Sequence, residues 1–320
     1  MGKPAKAAAL AGLCLLSCAA SSRAWGPLGH KAVASVAESL MSDQARENVA
    51  ELLGGGSSLA DISNCADTVL YTKDPVSCAG FTLDPAAFTQ TKPWHYINIP
   101  IATTDLSDMT ALCKNGQDCV TAQIRAQTLI LKDPSPHVTM LQRQAALMLL
   151  VHCMGDVHQP FHAIDDADWG GNAKKLVFQG ALKNLHMLWD DLIMKEDWRE
   201  QAKMAPAPLV ASLDPLDISA VVTYSGGGEV GDEAARESFE LAKGSVYPVY
   251  KPDQHLDEHY QAHMQPLAEQ RLFLAGKRLG WLLDEIFGAG YRGTPPPAAS
   301  VRNAATDRAL GMISATVISR

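Results

Sequence analysis

The sequence predicts a mainly α-helical fold, in which a single domain contains little β structure. Three observations support this prediction. Of the 320 residues, 47% are hydrophobic and 19% are charged, which is typical of a soluble globular protein. Five long stretches carry apolar residues at three- and four-residue spacing, as amphipathic helices do. Runs with the character of strands are few and short.

The five predicted helices share this spacing and cover residues 30–53, 120–133, 138–159, 182–198 and 265–287. The first is stopped by a glycine-rich stretch, because glycine is a poor helix former. The third ends before Pro160, which cannot continue a helix. The only predicted strands are the short runs 94–100 and 174–180.

Residues 1–24 are expected to be a signal peptide. A positively charged start precedes an apolar run, and a cleavage site of the small-x-small type ends at Ala24. The apolar run is too short to span a bilayer. The protein is therefore expected to be exported, either to a periplasm or out of the cell. An alternative is a lipoprotein signal at residues 15–18, which would make a lipidated Cys18 the N-terminus.

The rest of the chain is predicted to contain one folded domain over residues 25–287 and a flexible C-terminal tail over residues 288–320. Loss of the signal peptide would move the formal charge from −8 to −11, because three basic residues and no acidic ones leave. Such an acidic protein lacks the basic surface that tight sequence-specific binding of duplex DNA requires. It can still act on nucleic acids if bound cations supply the positive charge.

Five of the seven cysteines lie in the predicted domain. In an oxidising compartment, four of them can form two disulfides. Cys113 and Cys119 bracket a short loop, which favours a bridge between them, and a bridge between Cys65 and Cys78 is a second hypothesis. Cys153 lies in a predicted helix and is expected to be a buried free thiol.

Histidine and aspartate are concentrated around the third predicted helix, and their spacing indicates a metal site. His152 and Asp156 are four residues apart, so both side chains lie on one face of the helix. His186 and Asp190 repeat the spacing on another predicted helix, and His162 follows the first pair. Imidazole nitrogen and carboxylate oxygen form a ligand set that zinc accepts. For one pair alone, a hydrogen-bonded couple on a helix surface would be the simpler interpretation.

Six motifs give the sequence a resemblance to a known family. WGPLGH, CAD, WHYINIP, HCMGDVHQPFH, DWGGN and NLHMLWD occur in the order found in the zinc-dependent single-strand-specific nucleases and 3′-nucleotidases, the S1/P1 nucleases. The resemblance covers roughly residues 25–287. It implies a helical zinc-phosphodiesterase fold, shared with zinc-dependent phospholipase C, and three Zn²⁺ per chain. It also implies hydrolysis of single-stranded DNA and RNA to 5′-phosphorylated products, and 3′-nucleotidase activity. We expect a monomer with no obligate protein partner.

The resemblance also assigns the metal ligands, motif by motif. One zinc of a close pair would be bound by Asp67, His95, His152 and Asp156. Its neighbour would be bound by His30, Asp156, and the amine and carbonyl oxygen of Trp25. A third, more separate zinc would be bound by His162, His186 and Asp190. Asp67 and Asp156 are the expected catalytic residues, and Asp67 would orient the nucleophile. A backbone amine can bind a metal only at a chain terminus, so the Trp25 assignment requires cleavage after Ala24.

The expected substrate contacts match the family less well. Leu70 stands where the family commonly has an Arg or Lys that contacts phosphate, and Lys73 in the following turn is the candidate replacement. Tyr96 is expected to stack on a base, with core packing as the alternative. Asn98 is expected to read a base edge. Asn172 is expected to donate to phosphate, with a plain turn as the alternative.

Two other functions stay open. Zinc-dependent phospholipase C shares the fold, but its last metal carboxylate is a Glu, where this chain has Asp190. An exported zinc-binding protein with weak catalysis is the second alternative, favoured by the loss of the basic residue at Leu70. His158 matches no ligand and is expected to form a hydrogen bond at the helix end. The exposed-looking row His255, His259 and His263 is expected to lie on a solvated helix face.

Overall fold

Helices dominate the residues that the computed structural model describes, which are 25–192, 229–251 and 255–290. The α-helices in these ranges are α1 (Pro27–Leu40), α2 (Asp43–Leu52), α3 (Leu59–Ile62), α4 (Cys65–Leu70), α5 (Pro85–Phe88), α6 (Met109–Leu112), α7 (Val120–Lys132), α8 (Met140–Asp156), α9 (Leu185–Met187), α10 (Val230–Leu241) and α11 (Glu258–Phe287). Shorter 3-10 helices cover Thr89–His95, Pro160–His162 and Tyr247–Val249, and π-helical turns cover Leu188–Leu192 and Ala242–Val246. The mainly α prediction is confirmed. The expected signal peptide, the last 30 residues and part of the fourth predicted helix lie outside the described residues.

Short strands form three small sheets in this part of the chain. The strands are β1 (Val76–Cys78), β2 (Phe81–Leu83), β3 (Ile99–Pro100), β4 (Ile164–Asp165), β5 (Lys175–Phe178), β6 (Ala181–Asn184) and β7 (His255–Leu256). β1 pairs with β2 in antiparallel register, and β3 pairs with β4 in parallel register. β5 lies between antiparallel β6 and parallel β7. The prediction of only two strands was wrong, because strands of two to four residues are too short to show an alternating pattern.

The first predicted helix is interrupted, and this part of the prediction was also wrong. Met41 and Ser42 adopt extended conformations between α1 and α2. The Ser42 hydroxyl accepts a hydrogen bond from Ala45 N, which is the N-cap arrangement that serine favours. The Ser42 hydroxyl also donates to Asp284 near the end of α11, at 2.8 Å. Ser42 therefore fixes the junction between α1 and α2 against α11.

Helix α8 lies at the centre of the fold. Every residue from Gln142 to Asp156 is buried, and the helix packs against α1, α4, α7 and α11. A helix that is buried on all faces and mostly apolar is stable only when other elements surround it. Thr139 and Gln142 form a reciprocal capping box at its start. Its far end carries His152 and Asp156 into the interior.

A buried ionic network holds the chain just beyond the end of α8. Glu237 on α10 accepts hydrogen bonds from Arg271 and Arg278 on α11. Arg271 Nε donates to the carbonyl of His158 at 3.2 Å, and Arg278 donates to His158 Nε2 at 3.0 Å. His158 Nδ1 donates to Met154 O at 2.8 Å. Burial and the two arginine charges hold the pKa of His158 well below its usual value, so this histidine is a neutral helix-end residue, as expected.

Both expected disulfides are present. Cys65 is bonded to Cys78, which ties α4 to β1, and Cys113 is bonded to Cys119. Cys153 is a buried thiol outside both bridges, as expected. No helix of the described ranges has both the length and the apolar character that crossing a membrane requires.

Candidate metal centre

Eight buried histidine and aspartate side chains converge in three groups. Within each group, one potential ligand atom per residue lies within 4.8 Å of the others. The groups are His30, His152 and Asp156; Asp67, His95 and His152; and His162, His186 and Asp190. These are the eight side chains expected from the sequence to bind metal, and they come from elements far apart along the chain. Ligand atoms of a four-coordinate zinc lie about 2 Å from the ion and hence about 3.3 Å apart.

A glycine on α8 allows His30 of α1 to reach the first group. A Cβ atom at Gly155 would lie only 2.7 Å from His30 Nδ1, so a larger residue would displace the ring. The His30 ring stacks on the His152 ring with a centroid distance of 3.9 Å. His30 Nε2 then lies 3.3 Å from Asp156 Oδ1. The close packing of α1 on α8 therefore builds this part of the site.

Asp156 directs its two carboxylate oxygens at different histidines. Oδ1 faces His30, whereas Oδ2 lies 3.0 Å from His95 Nδ1 and 3.4 Å from His152 Nε2. Within the described part of the chain, neither oxygen has a hydrogen bond of normal geometry, although both are buried. Buried carboxylates are normally hydrogen-bonded, because leaving one unsatisfied is costly. A carboxylate in this position is suited to bridge two neighbouring cations.

His152 is the shared member of the first two groups. Its Nδ1 donates to the carbonyl of Ser63 at 2.8 Å, which leaves Nε2 facing Asp67 at 3.4 Å and His95 Nδ1 at 3.1 Å. Burial alone would lower the pKa of His152, but the charges of Asp156 and Asp67 outweigh burial and raise this pKa to about 9. Despite burial, the positive His152 in turn holds the pKa of Asp156 well below its usual value. Without metal, a proton on His152 therefore compensates the two carboxylates.

Zinc binding to this group is expected to strengthen as pH rises. Zinc must displace the His152 proton, so the affinity should rise by up to about tenfold per pH unit and level off near the His152 pKa of about 9. His30 contributes no such proton near neutrality, because burial lowers its pKa to about 4. Calorimetric zinc titrations in buffers of different ionisation enthalpy would measure the released proton. An affinity that stays constant between about pH 6 and 8 would contradict this expectation.

The third group brings two histidine nitrogens face to face. His162 Nδ1 lies 2.6 Å from the carbonyl of His95, and His186 Nδ1 lies 2.5 Å from the carbonyl of Gly170. Because a carbonyl oxygen only accepts, each Nδ1 carries the donated proton and each neutral ring presents a lone pair at Nε2. These two Nε2 atoms are 3.1 Å apart.

Two lone pairs at this distance repel each other unless a cation lies beside both. A proton is not favoured there: burial, with the neighbouring His162, lowers the pKa of His186 to about 3, and burial also lowers the pKa of His162. Asp190 Oδ2 lies 3.5 Å from His186 Nε2, and Gln159 holds the other Asp190 oxygen at 2.6 Å. The group thus has the composition and the geometry of a metal site with oriented ligands.

The loop before the last motif supplies the carbonyl that orients His186. Gly170 has a φ of +59°, and a Cβ atom at this position would lie 2.5 Å from the carbonyl of Phe161. The preceding Trp169 also has a positive φ, of 58°, and its side chain is 77% exposed. Trp169 was not among the residues singled out from the sequence. The signal that could have identified it is an aromatic residue directly before two glycines in a motif loop.

The expected substrate contacts stay predictions. Tyr96, directly after His95, is 38% exposed, and Asn98 and Lys73 are exposed. Asn172 Nδ2 donates to the carbonyl of Trp169 at 2.9 Å, which is a turn contact. Leu70 is half-buried and packs against the hydrophobic core.

The start of the described chain lies beside the third group. Trp25 is fully buried, and the next residue, Gly26, donates its N–H to the main-chain carbonyl of Asp190 at 2.9 Å. The role of Trp25 as a terminal metal ligand stays a prediction. The His255, His259 and His263 side chains are exposed and belong to none of the metal-holding groups found among the described residues. The expected common helix face was wrong for His255, which lies in β7 before α11 begins.

The chain is similar to a family of known proteins over most of its length. The model of a family described as S1/P1 nuclease matches residues 25–288. Endonuclease 2 of Arabidopsis thaliana is 25% identical, over 86% of this chain and 94% of that protein. Nuclease S1 of Aspergillus oryzae is 27% identical, over 82% of this chain and 91% of that protein. Nuclease P1 of Penicillium citrinum is 32% identical, over 52% of this chain and 57% of that protein.

Proposed function

Because the chain belongs to the S1/P1 nuclease family and is therefore a zinc-dependent nuclease, we propose that it hydrolyses the phosphodiester bonds of single-stranded DNA and RNA. The products would carry 5′-phosphates, and 3′-nucleotides would also be substrates. The observation that carries this proposal is the convergence of eight buried histidines and aspartates in three groups. In one of these groups, Nε2 of His162 lies 3.1 Å from Nε2 of His186.

The metal complement is proposed to be three Zn²⁺. His162, His186 and Asp190 would hold one ion. Asp67, His95 and His152 would hold a second, and His30 with the main chain of Trp25 a third, with Asp156 shared between these two. When bound, zinc neutralises the phosphodiester charge and lowers the pKa of water towards neutrality. The buried carbonyl contacts at Nδ1 of His152, His162 and His186 support this assignment, since a ring that donates from Nδ1 binds a metal through Nε2.

Two side chains are proposed to act directly on the reaction. Asp67 Oδ2 is buried and has no hydrogen-bond partner among the described residues, so it can accept a hydrogen bond from an attacking water and orient it. Before zinc binds, Asp156 is negatively charged, because His152 and the two neighbouring histidines hold its pKa well below its usual value. It would therefore remain a strong ligand across the neutral range.

The substrate is proposed to lie across the loop that carries Trp169. An exposed indole one residue from the carbonyl that orients His186 can stack on an unpaired base near the third group. Tyr96 offers a second exposed ring directly after His95. Base stacking requires unpaired bases and tolerates every sequence, which supports a preference for single strands with broad specificity.

Trp169→Ala is expected to raise KM for a single-stranded oligonucleotide about tenfold and to change kcat little, because stacking contributes about 1–3 kcal/mol per base. Steady-state kinetics with one oligonucleotide would measure both constants. Leu129→Ala is the matched control, because it removes an exposed apolar side chain at a different place, on α7. An unchanged KM in the Trp169 variant would exclude a stacking role.

The test of the proposed function is hydrolysis of single-stranded DNA, RNA and the corresponding duplex by the zinc-loaded protein. We expect rapid cleavage of the single strands, products with 5′-phosphates, and loss of activity with a chelator. Hydrolysis of a phospholipid headgroup with intact DNA would instead support a phospholipase C-like enzyme. Cleavage of none of these substrates would support the weakly catalytic zinc-binding protein.

Export of the protein is proposed as well. Two disulfides support an oxidising compartment. We further propose that residues 25–287 act as one monomeric unit after cleavage at Ala24. N-terminal sequencing of the mature protein should then begin at Trp25.

A further inference from the structure

We propose that Tyr247 and Asp168 form a positioning pair that holds His186 in its metal-binding orientation and thereby sets the zinc affinity of the third group. The pair acts through the loop at residues 165–171, called the acidic loop below. The inference rests on the proposed function in one respect, namely that the third group binds zinc. Neither residue is among the expected ligands or substrate contacts.

The peptide unit between Gly170 and Gly171 connects Asp168 to His186. The carbonyl of Gly170 and the N–H of Gly171 belong to the same planar trans peptide, so they point in opposite directions. Asp168 Oδ1 accepts the Gly171 N–H at 2.9 Å, and the Gly170 carbonyl on the other side accepts His186 Nδ1–H at 2.5 Å. Fixing the Gly171 N–H therefore fixes the direction of the carbonyl that orients His186.

Tyr247 in turn fixes the carboxylate. Its hydroxyl donates to both oxygens of Asp168, at 2.9 and 3.0 Å, and Asp168 itself is only 4% exposed. The Tyr247 ring also packs edge-on against Phe161 with a centroid distance of 5.3 Å. Phe161 supplies the carbonyl that leaves no room for a side chain at Gly170. The tyrosine thus contacts both the acidic loop and the residue that packs against Gly170.

The acidic loop needs such external support because its backbone is strained. Ala167 and Trp169 have φ values of 53° and 58°, and Gly170 and Gly171 have values of 59° and 81°. Left-handed conformations cost free energy in residues other than glycine and persist only where surrounding contacts hold them. Asp165 Oδ1 also stabilises the loop by accepting hydrogen bonds from the N–H groups of Asp168 and Gly170, at 3.0 and 3.2 Å.

Tyr247→Phe tests the pair, because it removes the hydroxyl and retains the ring packing. The zinc-loaded variant would be incubated with increasing concentrations of a chelator, and the zinc that remains bound per chain would be measured. We expect one zinc to be released at about tenfold lower chelator concentration than in the wild type, since outer contacts to metal ligands contribute about 10–100-fold in affinity. The other two ions should be released as in the wild type.

Two further variants make the result specific. His186→Ala identifies which release step belongs to the third group. Tyr250→Phe is the matched control: its hydroxyl, three residues along, donates to the carbonyl of Lys175 at 2.8 Å. We expect this control to release zinc as the wild type does.

Conservative rescue separates positioning from general destabilisation. In Asp168→Asn, the amide oxygen can still accept hydrogen bonds from Gly171 and Tyr247, so the zinc affinity of the third group should stay within about threefold of the wild type. Asp168→Ala should lower this zinc affinity at least as much as Tyr247→Phe does. Equal zinc release by Tyr247→Phe and Tyr250→Phe would overturn the positioning role and leave the proposed nuclease function intact. A wild-type protein without a zinc ion in the third group would overturn both.

Discussion

Asp156→Asn is expected to lower the zinc content from about three ions per chain to about one and to reduce nuclease activity by at least about a thousandfold. The reason is that the two oxygens of this carboxylate face different histidines, Oδ1 towards His30 and Oδ2 towards His95 and His152. Asparagine keeps the size of the side chain but offers one oxygen and no charge. One ion of the close pair would therefore lose this ligand, and the other would keep only an uncharged amide oxygen.

Elemental analysis of the purified variant measures zinc per chain, and hydrolysis of single-stranded DNA measures activity. Asp43→Asn is the control, because this aspartate lies at the exposed start of α2 and pairs only with Arg46 among the contacts described for it. It should bind zinc and cleave DNA as the wild type does. A full zinc complement in Asp156→Asn would refute the shared carboxylate.

Glu237→Gln is expected to destabilise the fold by about 3 kcal/mol or more, because it leaves two buried guanidinium groups without their counterion. Arg271 and Arg278 are 3% and 1% exposed, and both pair with Glu237. Burial already lowers the pKa of Arg271 to about 10, even though Glu237 opposes this shift. Both arginines also bind His158, so the chain that follows α8 would lose its support.

Chemical denaturation of the zinc-loaded protein at constant free zinc would measure this loss of stability. Glu240→Gln removes an exposed carboxylate from the same helix, α10, and should change the free energy of unfolding by less than about 0.5 kcal/mol. If both variants unfold at the same denaturant concentration, the buried network contributes no net stability beyond a surface charge.

The sequence predicted those parts of the site that depend on local spacing. A separation of four residues places His152 and Asp156 on one face of α8, whatever surrounds the helix. The same spacing brings His186 and Asp190 together, although they lie on a short α-helix followed by a π-helical turn. The order of the motifs supplied the remaining ligands through the family resemblance. The expected export predicted that four cysteines could form two disulfides, and the short loop favoured Cys113–Cys119, but the Cys65–Cys78 bridge was only a hypothesis.

Other features depend on contacts that no local pattern contains. Tyr247 reaches Asp168 across 79 residues of sequence, and Arg278 reaches His158 across 120. The left-handed backbone of Trp169 follows from its neighbours in space, because tryptophan has no preference for that conformation. The break between α1 and α2 also escaped prediction, since an apolar periodicity continues through Ser42 and only its contact with Asp284 shows why the helix ends there.

We expect three bound cations to give this acidic chain both its affinity for nucleic acids and its hydrolytic power. Anomalous X-ray scattering at the zinc edge from crystals of the mature protein would locate these cations. We expect three peaks per chain, one of them bounded by His162, His186 and Asp190 and the other two on either side of Asp156. If crystals grown with zinc show no peak beside the facing nitrogens of His162 and His186, the third group does not bind zinc and the proposed trinuclear site is wrong.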